Sequence, residues 1–397
     1  MKCKILDEPI TNFMSFGKMP IANGFLKKEQ FDNEFFFDMQ IGFSNKISLF
    51  QLINHPKPEQ MFNNQYPFFS GSSIFMRNHF RDYSNWLKKY LKKNLNLIEI
   101  GSNDGTLLEN FNNSNINAIG IEPSKNVYEL SIKKKVKTYN NFFNTDIIGQ
   151  FPKLINNVDV ICAANVICHI PDLNNLIKTI DKFLDSKGVF VFEEPYLGSM
   201  YDKISFDQIY DEHIYMFSAA AVKKIFNIFD FELVDVLPQI THGGSLRYVV
   251  ARKNKFEINK NVFNILDDEK RLNIDNIEGC LVFKKKCEDS KSKINNKLKS
   301  YVKAGKRIVG YAATSKSTTI LNYCDIGAET IEYICDTTEE KVGKFSPGKH
   351  IPIVSIDHFR KDKPDIVYLF AWNHKNEIIE KENKINNQFT WISHVEI

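Results

Sequence analysis

The chain contains no Cys-x-x-Cys pair. Its seven cysteines, at 3, 162, 168, 280, 287, 324 and 335, are an odd and widely spaced set, which is not a disulfide framework. Charge of one sign is not in excess: 52 Lys and Arg against 48 Asp and Glu leave +4, with no basic patch, so a nucleic-acid partner is not expected. The Lys runs at 133–135 and 284–286 are read as solvated faces. No stretch of eighteen apolar residues and no apolar leader occurs, so neither a membrane span nor a secretory route is expected. Unpaired thiols and no leader together predict a reducing, cytoplasmic compartment. Two phosphate-cradling motifs are also missing: nothing fits G-x-x-x-x-G-K-[ST], and Asn103 and Thr106 stand where G-x-G-x-x-G needs glycine.

What is present is a chain of 397 residues, 43% hydrophobic and 25% charged, long enough for two or three domains. The densest signal runs from Leu97 to Glu122. Leu97–Ile100 reads as a buried parallel strand, Gly101, Asn103, Asp104 and Gly105 as a turn that lets backbone approach a ligand, and Thr106–Phe111 as a helix. A second strand, Ala118–Ile121, ends on Glu122, where doubly wound α/β folds grip ribose hydroxyls. Val158–Ile170 supplies a further strand followed by Asn165 and a polar exit, and Gly188–Pro195 another ending in acids. This order resembles that of class I S-adenosylmethionine methyltransferases, which implies that cofactor, held by Gly101, Asn103, Asp104, Gly105 and Glu122, with Asn165 near its methionine part.

Three blocks follow from the pattern. Residues 1–75 hold short strand-like segments. Residues 76–252 are the cofactor-binding unit. Residues 253–397 open with a lysine-rich amphipathic helix over 258–304 and continue as a second α/β unit, with strands at 306–313, 331–336 and 364–370. The fold expected is α/β: a class I, Rossmann-like methyltransferase domain with a small N-terminal domain and a second Rossmann-like C-terminal domain.

Two clusters carry chemistry. Tyr210, Glu212 and His213 lie between the last strand of the cofactor unit and a helix starting near Ser218. About thirty residues on comes His242-Gly-Gly-Ser-Leu-Arg247, where paired glycines let the backbone pass close to something. The order Tyr-x-Glu-His, His-Gly-Gly-Ser-Leu-Arg and Gly310 to Tyr323, together with Pro20–Leu26, Tyr66–Ser73 and Pro347–Pro352, resembles the sugar C-methyltransferases over nearly the whole chain. Those enzymes methylate C3 of nucleotide-linked 4-keto-deoxysugars.

The resemblance implies that His213 is the base that removes the proton α to a ketone, with Glu212 orienting it or binding a sugar hydroxyl. Tyr210 and His242 would donate to the enolate oxygen. Glu212, its neighbour in sequence, is expected to hold the imidazole pKa above its ordinary value of about 6.5. The nucleotide-linked sugar is expected on Tyr66, Arg247, Ser315, Lys316 and Thr318, with Asp336 on ribose or base. Family members carry an N-terminal zinc site of two Cys-x-x-Cys pairs. Here the pairs read Cys3-Lys-Ile-Leu6 and Phe43-Ser-Asn-Lys46, and Phe68 replaces an expected tyrosine. One thiolate does not make a tetrahedral set, so no zinc is expected. Two other readings share these residues: an O- or N-methyltransferase on an activated sugar, and a non-catalytic paralogue that binds nucleotide sugar or cofactor.

Overall fold

The computed structural model describes residues 1–57, 69–385 and 389–397. Three sheets organise them. The first is antiparallel, in the order Thr11–Pro20, Phe36–Ser44, Leu49–Leu52 and Tyr215–Met216. Its fourth strand comes from the segment just after Glu212 and His213, so the N-terminal sheet grips the chain next to the expected catalytic cluster.

The second sheet has seven strands, ordered Phe231–Gln239, Ser245–Arg252, Leu184–Pro195, Val158–Ala164, Asn96–Ile100, Asn117–Ile121 and Thr138–Tyr139. The last five named pair in parallel, while Ser245–Arg252 runs antiparallel to Leu184–Pro195 and to Phe231–Gln239. Asn96–Ile100 and nearly all of Val158–Ala164 are buried, as expected for central parallel strands covered on both faces. The chain order reverses between Asn96–Ile100 and Val158–Ala164. That switch point is where ligands enter such sheets. The segment after Gly105 forms a 3-10 turn only at Leu108–Phe111, shorter than the expected helix.

The third sheet is parallel throughout: Ile353–Ser355, Ile334–Asp336, Ile308–Tyr311, Ile366–Leu369 and Thr390–Ile392. The expected helix over 258–304 is two, Lys260–Arg271 and Ile277–Lys303. They part because Asn276 caps the second, its side chain accepting from the Gly279 amide. On Ile277–Lys303 the buried residues Cys280, Phe283, Cys287, Ile294 and Leu298 recur at helical spacing. They bring the first and third sheets into one hydrophobic cluster that includes Phe50, Tyr201 and Ile334. No helix among the described residues is long and apolar enough to cross a membrane.

Candidate active site

A cavity of about 580 Å³ opens at the switch point and is lined by residues from all three blocks. One side of it is built by two strand ends. Gly101 has φ +64, and a Cβ there would meet Val166 at 2.6 Å, so only glycine fits. Glu122 leaves the end of Asn117–Ile121 and receives backbone amides on both oxygens, from Asn103 at 2.9 Å and Ser124 at 2.7 Å. Burial pushes its carboxyl pKa up, and these two donors pull it back. Asn165, at φ +57, lines the same cavity, and its Oδ1 is buried with no partner among the described residues. An orphaned acceptor and a half-satisfied carboxylate at a parallel switch point fit the ammonium and ribose groups of S-adenosylmethionine.

Asp104 and Gly105 do not line the cavity. The Asp104 carboxylate accepts from the Gly71 amide at 3.0 Å and the Thr106 hydroxyl at 2.6 Å, and pairs with Lys134 at 3.2 Å. It fastens the 3-10 turn Ser70–Ser72 to the glycine loop. Gly105, at φ +77, packs against Val136 and Ser131.

Tyr210, Glu212, His213 and His242 all stand on the cavity wall. His213 Nδ1 lies 2.7 Å from the Gln208 carbonyl, which can only accept, so Nδ1 carries the hydrogen. Nε2 then holds a lone pair and accepts the Tyr210 hydroxyl at 2.8 Å. Tyr210 stays protonated, its pKa driven far up by burial and by nearby Glu212. The expected rise of the His213 pKa is reversed: burial lowers it to about 4, outweighing the Gln208 carbonyl. Asp207 also pulls it up without prevailing, and the neighbouring Glu212 accepts from Asn23 Nδ2 at 2.6 Å. His242, at φ +53, is likewise pushed well below its ordinary value by burial and by Lys316. The paired glycines after it approach the C-terminal unit: a Cβ on Gly243 would lie 2.1 Å from the Trp372 ring.

The C-terminal wall comes from Thr314, Ser315, Lys316, Lys341, Asn373 and His374. Thr314 and Ser317 form a capping box, so the expected loop is the first turn of helix Ser315–Tyr323. Lys316 is buried, donates to Asn373 Oδ1 at 3.0 Å and lies 4.9 Å from the Trp372 ring centroid.

Three expected substrate contacts lie elsewhere. Thr318 donates to the Ala22 carbonyl at 2.8 Å. Asp336 accepts the Ala313 and Thr338 amides, each at 2.7 Å. Arg247 is buried against Glu193 at 2.5 Å and over the Tyr83 ring at 4.0 Å. Tyr66 falls outside the described residues, as does Phe68.

Sequence reasoning passed over His169, Asn23 and Lys341, all on the wall. His169 stacks on His213 at 5.4 Å. Its position four residues after the strand-end Asn165 was the available signal. Among the described residues, Cys168, His169 and His213 are the one group with ligand atoms close enough to share a metal, but both His213 nitrogens already have partners.

Three families match in succession. "Putative zinc binding domain" matches residues 3–62, "Methyltransferase domain" residues 75–236, and "C-methyltransferase C-terminal domain" residues 240–395. C-methyltransferase NovU of Streptomyces niveus is 26% identical over 375 residues, covering 94% of this chain and 89% of that protein. The chain is an S-adenosylmethionine-dependent methyltransferase of the C-methyltransferase type. Among solved structures, the PH0226 protein of Pyrococcus horikoshii OT3 has a TM-score of 0.39 at 13% identity, covering 48% of this chain and 97% of that one. Magnesium protoporphyrin IX methyltransferase of Synechocystis PCC 6803 has a TM-score of 0.36 at 13% identity, covering 46% and 88%. In the zinc-type segment of this methyltransferase, Cys3 is buried in a hydrophobic cluster with Ile5, Ile47 and Leu49. Phe43 is fully buried and Lys46 pairs with Glu8 at 2.6 Å.

Proposed function

We propose that the methyltransferase acts on a carbon α to the carbonyl of a nucleotide-linked keto-sugar, through a base-generated enolate. The observation that supports this best is that one cavity is walled by Glu122 and Asn165, by the Tyr210–His213 pair, and by Ser315 and Lys316. A cofactor site, a proton acceptor and an anion-binding helix terminus thus share one space. S-adenosylmethionine supplies an electrophilic methyl group. Gly101, Asn103 and Glu122 hold its nucleoside, and Asn165 its amino-acid part. Lys316 and the N-terminus of helix Ser315–Tyr323 meet the diphosphate.

The proton chemistry belongs to the chain itself. A proton α to a ketone is weakly acidic, so its removal needs a placed base and a stabilised enolate. His213 Nε2 is neutral and carries the free pair. Tyr210 passes its hydroxyl hydrogen to Nε2 as its oxygen takes the substrate proton, which leaves the charge on the imidazole. His242 donates to the enolate oxygen, and Glu212 takes a sugar hydroxyl. In this reading residues 1–75, 76–252 and 253–397 are the N-terminal, cofactor-binding and nucleotide-sugar-binding units. Asp104, Arg247, Thr318 and Asp336 brace the walls.

The test is mass spectrometry of a panel of nucleotide-linked keto-sugars incubated with the enzyme and S-adenosylmethionine. One methyl gained on carbon is the expected result, with enzyme alone exchanging the α-proton for deuterium in heavy water. Methylation on oxygen or nitrogen without exchange would overturn the enolate route.

A further inference from the structure

Asn165 follows strand Val158–Ala164 at φ +57, a left-handed conformation that a non-glycine residue keeps only where its surroundings enforce it. The neighbouring strand supplies the enforcement. The Asn165 amide donates to the Glu193 carbonyl at 2.8 Å. The next three amides, of Val166, Ile167 and Cys168, all donate to one oxygen, Glu194 Oε1, at 3.0, 2.6 and 3.2 Å. Four consecutive amides thus end on two consecutive residues of strand Leu184–Pro195. The 3-10 turn Ile167–His169 closes the segment, with the His169 amide donating to the Val166 carbonyl at 2.9 Å. Asn165 and His169 line the cavity, whereas Glu194 is fully buried and does not. One side chain off the wall therefore fixes the segment that presents two residues on it. Without that acceptor the three amides would be stranded, which is costly in a buried segment.

We propose that Glu194 is a positioning residue for the methyl donor: by gathering the three amides after Asn165, it holds the Asn165 side chain toward the amino-acid part of S-adenosylmethionine. The Asn165 Oδ1 is buried with no partner among the described residues, so it is an acceptor kept for a donor that arrives with the ligand. With Oδ1 unbonded, its aim is set by the backbone, and the backbone is set by Glu194. The amides need an acceptor oxygen at that place. Gln keeps one there and Leu does not. That Asn165 meets the amino-acid part rests on the function proposed above.

The experiment is calorimetry of the full chain with two ligands: S-adenosylmethionine, and adenosine, which lacks the methionine part. Glu194→Leu is expected to weaken S-adenosylmethionine binding by about ten- to a hundredfold, as for loss of one hydrogen bond to a charged group, and to bind adenosine like wild type. Glu194→Gln is expected to bind both ligands close to wild type. A merely structural role would weaken both ligands together in Glu194→Leu. That result, or unchanged S-adenosylmethionine binding, overturns the proposal. Asn165→Ala in the same assay separates this inference from the reading it rests on, and the same selective loss is expected there. If Asn165→Ala shows the loss and Glu194→Leu does not, this inference fails and the proposed function stands. If Asn165→Ala binds S-adenosylmethionine at full strength, the placement of the amino-acid part fails and takes this inference with it. If Glu194→Leu does not fold, hydrogen exchange of the wild-type chain decides. At matched saturation the amides of residues 166–168 are expected to slow further with S-adenosylmethionine than with adenosine, and equal slowing overturns the proposal.

Discussion

The Tyr210 hydroxyl donates to His213 Nε2 at 2.8 Å, while Nδ1 of the same ring faces the Gln208 carbonyl at 2.7 Å. The tautomer is thus fixed from both sides, and the one basic lone pair is reached through a phenol. Burial lowers the His213 pKa to about 4, so the ring is neutral throughout the physiological range. His213→Asn is expected to cut turnover by about 10²–10⁴ with cofactor affinity unchanged. Tyr210→Phe should cut it comparably if the hydroxyl relays the proton. Turnover of Tyr210→Phe near the wild-type rate would show that the hydroxyl only occupies Nε2.

The same ring makes a statement about pH. Its folded pKa of about 4 lies below the usual value near 6.5. Between those values the unfolded chain binds the extra proton, so stability contributed by the neutral ring is complete above pH 6.5 and is lost as pH falls toward 4. Imidazole NMR should show the His213 signal, identified by its loss in His213→Asn, in the neutral form from pH 8 down to about 5. A midpoint near 6.5 or above would contradict the burial argument.

Glu122 carries two backbone amides as well as facing the cavity. Glu122→Ala should therefore weaken S-adenosylmethionine binding by about ten- to a hundredfold, since hydrogen bonds to a carboxylate are worth roughly 1.5–3 kcal/mol. It should also lower the melting temperature, because the Asn103 and Ser124 amides lose their acceptor. Glu122→Gln keeps one acceptor and should melt closer to wild type while still binding weakly. Unchanged affinity by calorimetry in both variants would remove Glu122 from the site.

What the sequence made legible was whatever a strand end or a spaced motif carries by itself. Glu122, Asn165 and Lys316 stand at ends of strands or starts of helices, where backbone direction alone aims them at one edge, and His213 is carried by its motif in the loop before Tyr215–Met216. Side chains whose fate depends on a distant partner were not legible. Arg247 pairs in register with Glu193 on the adjacent strand and bonds it, so a residue 54 positions earlier keeps it out of the cavity. Asp104 is claimed by Gly71 and Lys134, which no local pattern announces. The Glu212–His213 adjacency misled for a related reason: burial, which no local pattern announces, sets the imidazole pKa.

Gly243 has φ +83, and a Cβ there would stand 2.1 Å from the Trp372 ring. Trp372 cannot easily retreat, because its indole N–H donates to buried Asp207 at 2.7 Å. Gly243→Ala is expected to destabilise the fold by about 1–3 kcal/mol, from left-handed backbone strain and the clash together. Since His242 is the preceding residue, turnover should fall with it. A melting temperature equal to wild type would mean that the turn relaxes freely.

The protein as purified is expected to hold no stoichiometric zinc, although residues 3–62 match a family described as zinc-binding. Cys3 is packed in a hydrophobic cluster, and Leu6, Phe43 and Lys46 offer no thiolate. Elemental analysis finding about one zinc per chain would contradict this and would direct attention to Cys168, His169 and His213.

Lys316 is where the nucleotide end of the proposed substrate can be tested separately from the methyl donor. Lys316 is 8% exposed at the first turn of helix Ser315–Tyr323, its amine held by Asn373 and set over Trp372. Burial lowers its pKa, while the Asp207 carboxylate pulls the other way. Among the described residues no carboxylate bonds this amine; such a buried cation is costly unless an anion arrives, and a diphosphate at a helix N-terminus supplies one. Lys316→Met should weaken binding of thymidine or uridine diphosphate by about ten- to a hundredfold, as expected for loss of a charge-assisted contact, and should flatten its salt dependence. S-adenosylmethionine affinity should stay unchanged, because Glu122 and Asn165 are untouched. If calorimetry instead found the diphosphate bound equally well and the methyl donor weakened, Lys316 would belong to the cofactor end, and the nucleotide would have to be sought near Lys341.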